Sequence, residues 1–134
     1  MTIDIIKNKG NYETDVDSKA AIDGTGSDVN VFYNPKSKPK IKTKDAKTGN
    51  IEKKDRPAHI GGMHEVIHGD RSMRGKAIDY SKKDTQEYKT KRGKVKEQVP
   101  REEMATIGTK HNKKDDITEN DLRKEQGIEE RGAY

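Results

Sequence analysis

Hydrophobic positions along this chain come in short groups separated by long polar stretches. Val29-Asn30-Val31-Phe32-Tyr33 is the densest early group, and β-branched and aromatic residues of this kind predict a strand. Asn34-Pro35 ends it. Lys38 to Lys44 alternates around Ile41, and Ile51 follows after Thr48-Gly49-Asn50, which predicts a lysine-lined hairpin. A second hairpin is predicted from Glu87 to Lys96, turning at Arg92-Gly93. Between the two, Ile60, Met63, Val66 and Ile67 recur at helical spacing after Pro57. Pro100 opens a short helix that Gly108 stops. Thr118 with Asp121 three residues on is close to a capping box, and predicts a helix through Leu122 to Gln126 with Gly127 as its stop. Residues 1–28 show no comparable pattern and look loosely structured. There are no internal repeats. Strands interleaved with a few helices give an α+β domain.

Composition sharpens this picture. Of 134 residues 40% are charged, 27% are hydrophobic, and Ile, Val, Leu and Phe together make 20. So low an apolar share is usually a mark of disorder. The net charge of +5 is too small to enforce it, because acids and bases nearly cancel. A thin core that needs help is the expectation, and small domains get such help from disulfides or a metal. There is no Cys, so a metal site must draw on His, Asp and Glu. No stretch approaches the ~20 apolar residues of a membrane span, and Met1 to Ile6 does not read as a signal peptide.

Charge is uneven. Residues 36–56 hold nine Lys/Arg against three Asp/Glu, and residues 82–96 hold seven against two. The tail from Asp115 reverses this, with seven acids against three bases. A solvated surface explains such runs; a basic face for an acidic partner is the sharper reading.

The chemistry concentrates in Gly61-Gly62-Met63-His64-Glu65-Val66-Ile67-His68-Gly69-Asp70. At i and i+4 on a helix, His64 and His68 share a face and can bind one ion. Glu65 is rotated by about 100° from His64, off the ligand face. There it can take a proton from a water that zinc has acidified, as a general base. Two exposed helical histidines are the bland alternative. Gly61 and Gly62 disfavour a helix by ~1 kcal/mol each, unless another backbone packs close or the helix starts after them. Arg71 and Arg74 stand where the longer metalloprotease pattern wants a glycine and a third histidine, so the third ligand must be a carboxylate further on. His59 and His111 read as surface residues.

Four stretches in register resemble the NleD-like zinc metallopeptidase effectors, a family of bacterial toxins. Gly26 to Pro35 resembles the family's opening strand, and Pro57 to Gly75 its active-site helix. Glu102 to Gly108 is similar to its Glu-Glu-x-x-Thr-x-Gly segment. Ile117 to Gly127, then Arg131-Gly132-Ala133-Tyr134, resembles its closing segment. Gly69 departs from the alanine frequent in relatives, and would loosen the helix after the second ligand. The resemblance implies a small zincin-like domain at 26–134 with an HExxH helix, β-hairpins and a C-terminal helix. Residues 1–25 would be an N-terminal arm or delivery segment. It also implies a zinc endopeptidase made in the bacterial cytoplasm and passed by delivery machinery into a target cell without a cleaved signal peptide. Some relatives cut host MAP kinases.

On this reading zinc is held by His64, His68 and Glu102 or Glu103, with Glu65 as base. Glu103 is favoured because its i+4 neighbour Ile107 could anchor that face; the other glutamate could orient a histidine ring. Asp70, Asp79, Asp84 and Glu87 are poorer candidates for the third ligand. Tyr80, Tyr88, Tyr134, His111 and Arg74 are unranked candidates for transition-state stabiliser. The expected partner is a protein substrate, and the chain is expected to act as a monomer. A basic nucleic-acid-binding module is disfavoured by scarce aromatics. A metal-stabilised structural domain is disfavoured by Glu65, which a structural site does not need.

Overall fold

A computed structural model describes residues 1–134. The elements run β1 (Thr2–Ile5), β2 (Tyr12–Asp15), α1 (Ser18–Ile22), β3 (Val29–Tyr33), β4 (Lys40–Lys44), β5 (Ile51–Asp55), α2 (Ala58–Met73), β6 (Lys83–Thr90), β7 (Gly93–Pro100), α3 (Arg101–Ile107) and α4 (Glu119–Glu125). This is the expected α+β class. No helix is long and apolar enough to cross a membrane.

The chain forms two compact units. Met1–Lys38 and Pro57–Asp79 make the first, a three-stranded sheet carrying helix α2. The strand order is β1-β3-β2, with β1 parallel and β2 antiparallel to β3. Val29 and Val31 of β3 are fully buried, as is Ile60 of α2. Burying one such side chain contributes ~1.5–3 kcal/mol, so a few residues fix the helix on the sheet. Two glycines set how closely it sits. A Cβ on Gly62 would lie 2.8 Å from the Tyr33 ring, and one on Gly69 would lie 2.7 Å from Met1 Cε and 3.0 Å from Val29 Cγ2. Helix α2 therefore starts before Gly61 and Gly62 and runs through both. Gly69 is where the helix packs against the strands.

Residues 1–25, which present a loose arm in the sequence, supply β1, β2 and α1. Their pattern is faint because the apolar side chains of β1 stay in solvent: Ile3 is 53% and Ile5 65% exposed. What orders them is backbone pairing along β3 and an Asp17 cap that accepts from the N–H groups of Lys19 and Ala20.

Pro39–Arg56 and Tyr80–Tyr134 make the second unit. It holds the hairpins β4–β5 and β6–β7, then α3 and α4. The second hairpin is longer than expected and leads directly into α3. That helix is buried from Glu102 to Ile107 and ends on Gly108, whose φ of 94° is the left-handed conformation open to glycine. Thr118 and Asp121 complete the capping box of α4. Behind α4 the Glu119 carboxylate is fully buried between two guanidinium groups: Arg123 Nε donates at 2.6 Å and Arg131 Nη1 at 3.2 Å.

Candidate metal centre

His64 and His68 project from one face of α2 and are both buried. Their Nε2 atoms are 3.2 Å apart, and the rings meet edge to face at 4.9 Å between centroids. Two imidazoles on a tetrahedral zinc with bonds of ~2.0–2.1 Å place their nitrogens about 3.3 Å apart, so the observed spacing suits that ion. Glu103 of α3 is also buried. His64, His68 and Glu103 together offer three ligand atoms that all lie within 4.8 Å of one another, a group able to hold a metal ion. Two imidazoles and one carboxylate are a donor set zinc takes when it keeps a fourth position open.

Glu102 behaves differently. The Thr106 hydroxyl donates to it, at 2.8 Å to its main-chain oxygen and 3.1 Å to Oε2. Thr106 sits at i+4, on the same face, and engages the carboxylate that would compete with Glu103. Tyr80 marks Glu103 instead, its hydroxyl donating to Oε1 at 3.1 Å. Desolvation, then the charge of Glu103, then Tyr134 hold the Tyr80 phenol above its ordinary range. Tyr134 lies beneath the Arg131 guanidinium, 5.6 Å from its ring centre.

The remaining candidates have partners of their own. Tyr88 lies under the Lys42 ammonium at 5.3 Å. His111 Nε2 is 2.9 Å from Asp84, which Lys110 also pairs; Lys110, then His111, hold that carboxyl below its usual range. Arg74 caps the end of α2 and pairs with Asp70 at 3.0 Å. Glu87 faces Lys96 at 3.5 Å.

The sequence did not point to Glu13 of β2. Its carboxyl is pushed up to about 8 by burial, then by a hydrogen bond with Asp15 and that residue's charge; the charge of His68 opposes the rise and Glu65 adds to it. Nothing in Tyr12-Glu13-Thr14-Asp15 signals this, since its place beside α2 depends on β2 pairing with β3. Glu119 and Arg131, which reach Tyr134 through the buried ion cluster, were equally silent.

A family model described as effector protein, Peptidase M91, matches residues 1–134. The chain belongs to the Peptidase M91 effector family. This agrees with the family resemblance carried by the four stretches. A comparison with curated protein sequences finds no match. Among solved structures, the Peptidase M91 chain is similar to the botulinum neurotoxin serotype C1 light chain protease. The two share 15% identity and a TM-score of 0.52, over 78% of this chain and 27% of that one. The apo, zinc-removed form of the type C light chain gives 16% and 0.51, over 72% and 24%. The serotype HA light chain gives 16% and 0.51, over 86% and 28%. At such identity the likeness is one of fold, and this chain spans about a quarter of the length of those light chains.

Proposed function

We propose that this Peptidase M91 effector is a zinc-dependent endopeptidase that cuts proteins of a target cell. The observation that carries the reading is the buried group His64, His68 and Glu103, with Glu65 next to a ligand on the same helix. His64 and His68 would hold zinc through Nε2 and Glu103 through a carboxylate oxygen. Bound zinc supplies a Lewis acid and acidifies a water. The chain's own residues do the rest. Glu65, one position past His64 and off the ligand face, takes the proton onto its carboxylate and passes it to the leaving amine. Tyr80 and Tyr134 are the favoured groups to steady developing negative charge, because Tyr80 is hydrogen-bonded to Glu103 and contacts Tyr134. The basic hairpins suit an acidic substrate surface. MAP-kinase-type substrates and delivery into a target cell are what the family resemblance adds, and the protein is read as acting as a monomer.

The test compares the parent with Glu65→Gln in a eukaryotic lysate, reading new protein N-termini by mass spectrometry. Loss of a positioned general base is expected to cost about 10²–10⁴ in rate, while bound zinc and melting temperature stay at the parent's. Cleavage by Glu65→Gln at the parent's rate would remove Glu65 from the mechanism.

A further inference from the structure

Across the β6–β7 pair, Lys89 stands directly opposite Lys94. Like charges in that relation destabilise a hairpin. On the same face, two residues along each strand, Glu87 stands opposite Lys96 and is paired with it at 3.5 Å. One rung is compensated and the next is repulsive. The repulsive rung opens on a cavity of about 400 Å³, lined also by Lys44 and Ile51 of the other hairpin and by Tyr88. Most neighbouring lysines are matched: Lys40 with Asp55, Lys42 with Glu97, Lys54 with Glu129, and Lys91 with Glu52. Lys44, Lys89 and Lys94 are exposed and have no carboxylate partner. Three unmatched ammonium groups around one concavity, two of them held face to face, are an arrangement that an anion stabilises.

We propose that Lys44, Lys89 and Lys94 form a docking cleft for an acidic, Asp/Glu-rich segment of the protein substrate. The inference deepens the protease reading and rests on it for the word substrate. A peptide suits the cleft better than a nucleic acid. Its one aromatic, Tyr88, is already covered by Lys42, so no stacking platform remains, and Glu87 interrupts the basic lining. Lys94 and Pro100 stand near opposite ends of β7, and α3 with Glu103 follows Pro100. At ~3.3 Å per residue the cleft is about 20 Å from the end of the strand. The acidic segment should therefore lie on the order of six residues or more from the scissile bond. Holding the substrate at two points raises the local concentration of that bond at the centre.

Binding is measured on the Glu65→Gln protein, so that turnover plays no part. The probes are a short fluorescent peptide of alternating Asp and Glu and a single-stranded oligonucleotide of equal charge, read by anisotropy at low and physiological salt. Lys44→Gln/Lys89→Gln/Lys94→Gln is expected to weaken the peptide at least about tenfold, and the control Lys7→Gln/Lys19→Gln/Lys76→Gln less than about twofold. Lys94→Glu is expected to raise the melting temperature, by matching Lys89, while lowering peptide affinity. Equal losses in both triple variants, tighter binding of the oligonucleotide than of the peptide, or no saturable peptide binding overturns the proposal. A fall in melting temperature for Lys94→Glu overturns the repulsive rung on which it stands. Proteolysis is scored separately: parent cleavage without peptide binding sinks the cleft alone, and peptide binding without any cleavage sinks the protease reading alone.

Discussion

His64, His68 and Glu103 are buried with their ligand atoms converging, whereas Glu119, Arg123 and Arg131 are buried with opposite charges interleaved. The first grouping collects electron-pair donors. Such a collection offers lone pairs that a cation can take. The second carries its own counter-charges, one carboxylate shared by two guanidiniums. A chain with few apolar residues thus uses two kinds of polar interior. One is an ion-paired cluster, and the other is a set of donors able to hold an ion. The difference separates an ion-paired cluster from a candidate metal site more clearly than burial does, since burial is alike in both.

Breaking the ion-paired cluster should cost at least as much stability as removing a metal. Glu119→Gln leaves two guanidiniums buried without their carboxylate, and removing one partner of a buried pair costs ~3–5 kcal/mol. Urea unfolding should show that loss equally with and without zinc. A loss seen only in the zinc-loaded protein would mean that the two groupings are one. Chelation tests the other side. Metal present at ~1,000 times its Kd stabilises by ~4 kcal/mol, which corresponds to roughly 10–20 °C in melting temperature. A chelator should lower the parent's melting temperature by that order and leave His64→Ala unmoved. Identical parent curves after proven zinc removal would uncouple the metal from folding.

The sequence carried some of this and hid the rest, for physical reasons. The histidine helix was legible because i, i+4 spacing puts two imidazoles on one face whatever surrounds them. The ends of α3 and α4 were legible because Gly108 and the Thr118–Asp121 box act within a few residues. Strands β1 and β2 were not, because pairing to β3 rather than apolar burial holds them. The choice between Glu102 and Glu103 had a local signal in Thr106, which stands at i+4 from Glu102 as Ile107 does from Glu103. Glu119 read only as part of a helix start; its burial depends on Arg131, twelve residues away. Gly69 carried the wrong message. It looked like a weakness in the helix, and the structure makes it a contact with Met1 and Val29.

Gly69→Ala gives the smallest expected effect. Better helix propensity gains up to ~1 kcal/mol, against an overpacking cost of typically ~1–3 kcal/mol. A modest net loss of stability with unchanged zinc content is expected by thermal melting. A gain would return Gly69 to the role of a loose point in the helix.

The most direct test of the central claim is zinc content after dialysis, compared between Glu103→Gln and Glu102→Gln. Both side chains are buried on the same short helix, so the two substitutions disturb packing alike and differ in what the carboxylate holds. The account predicts that Glu102→Gln retains zinc at the parent's stoichiometry and that Glu103→Gln loses it. Full zinc in Glu103→Gln, or its loss only in Glu102→Gln, would contradict the ligand set on which the proposed enzyme rests.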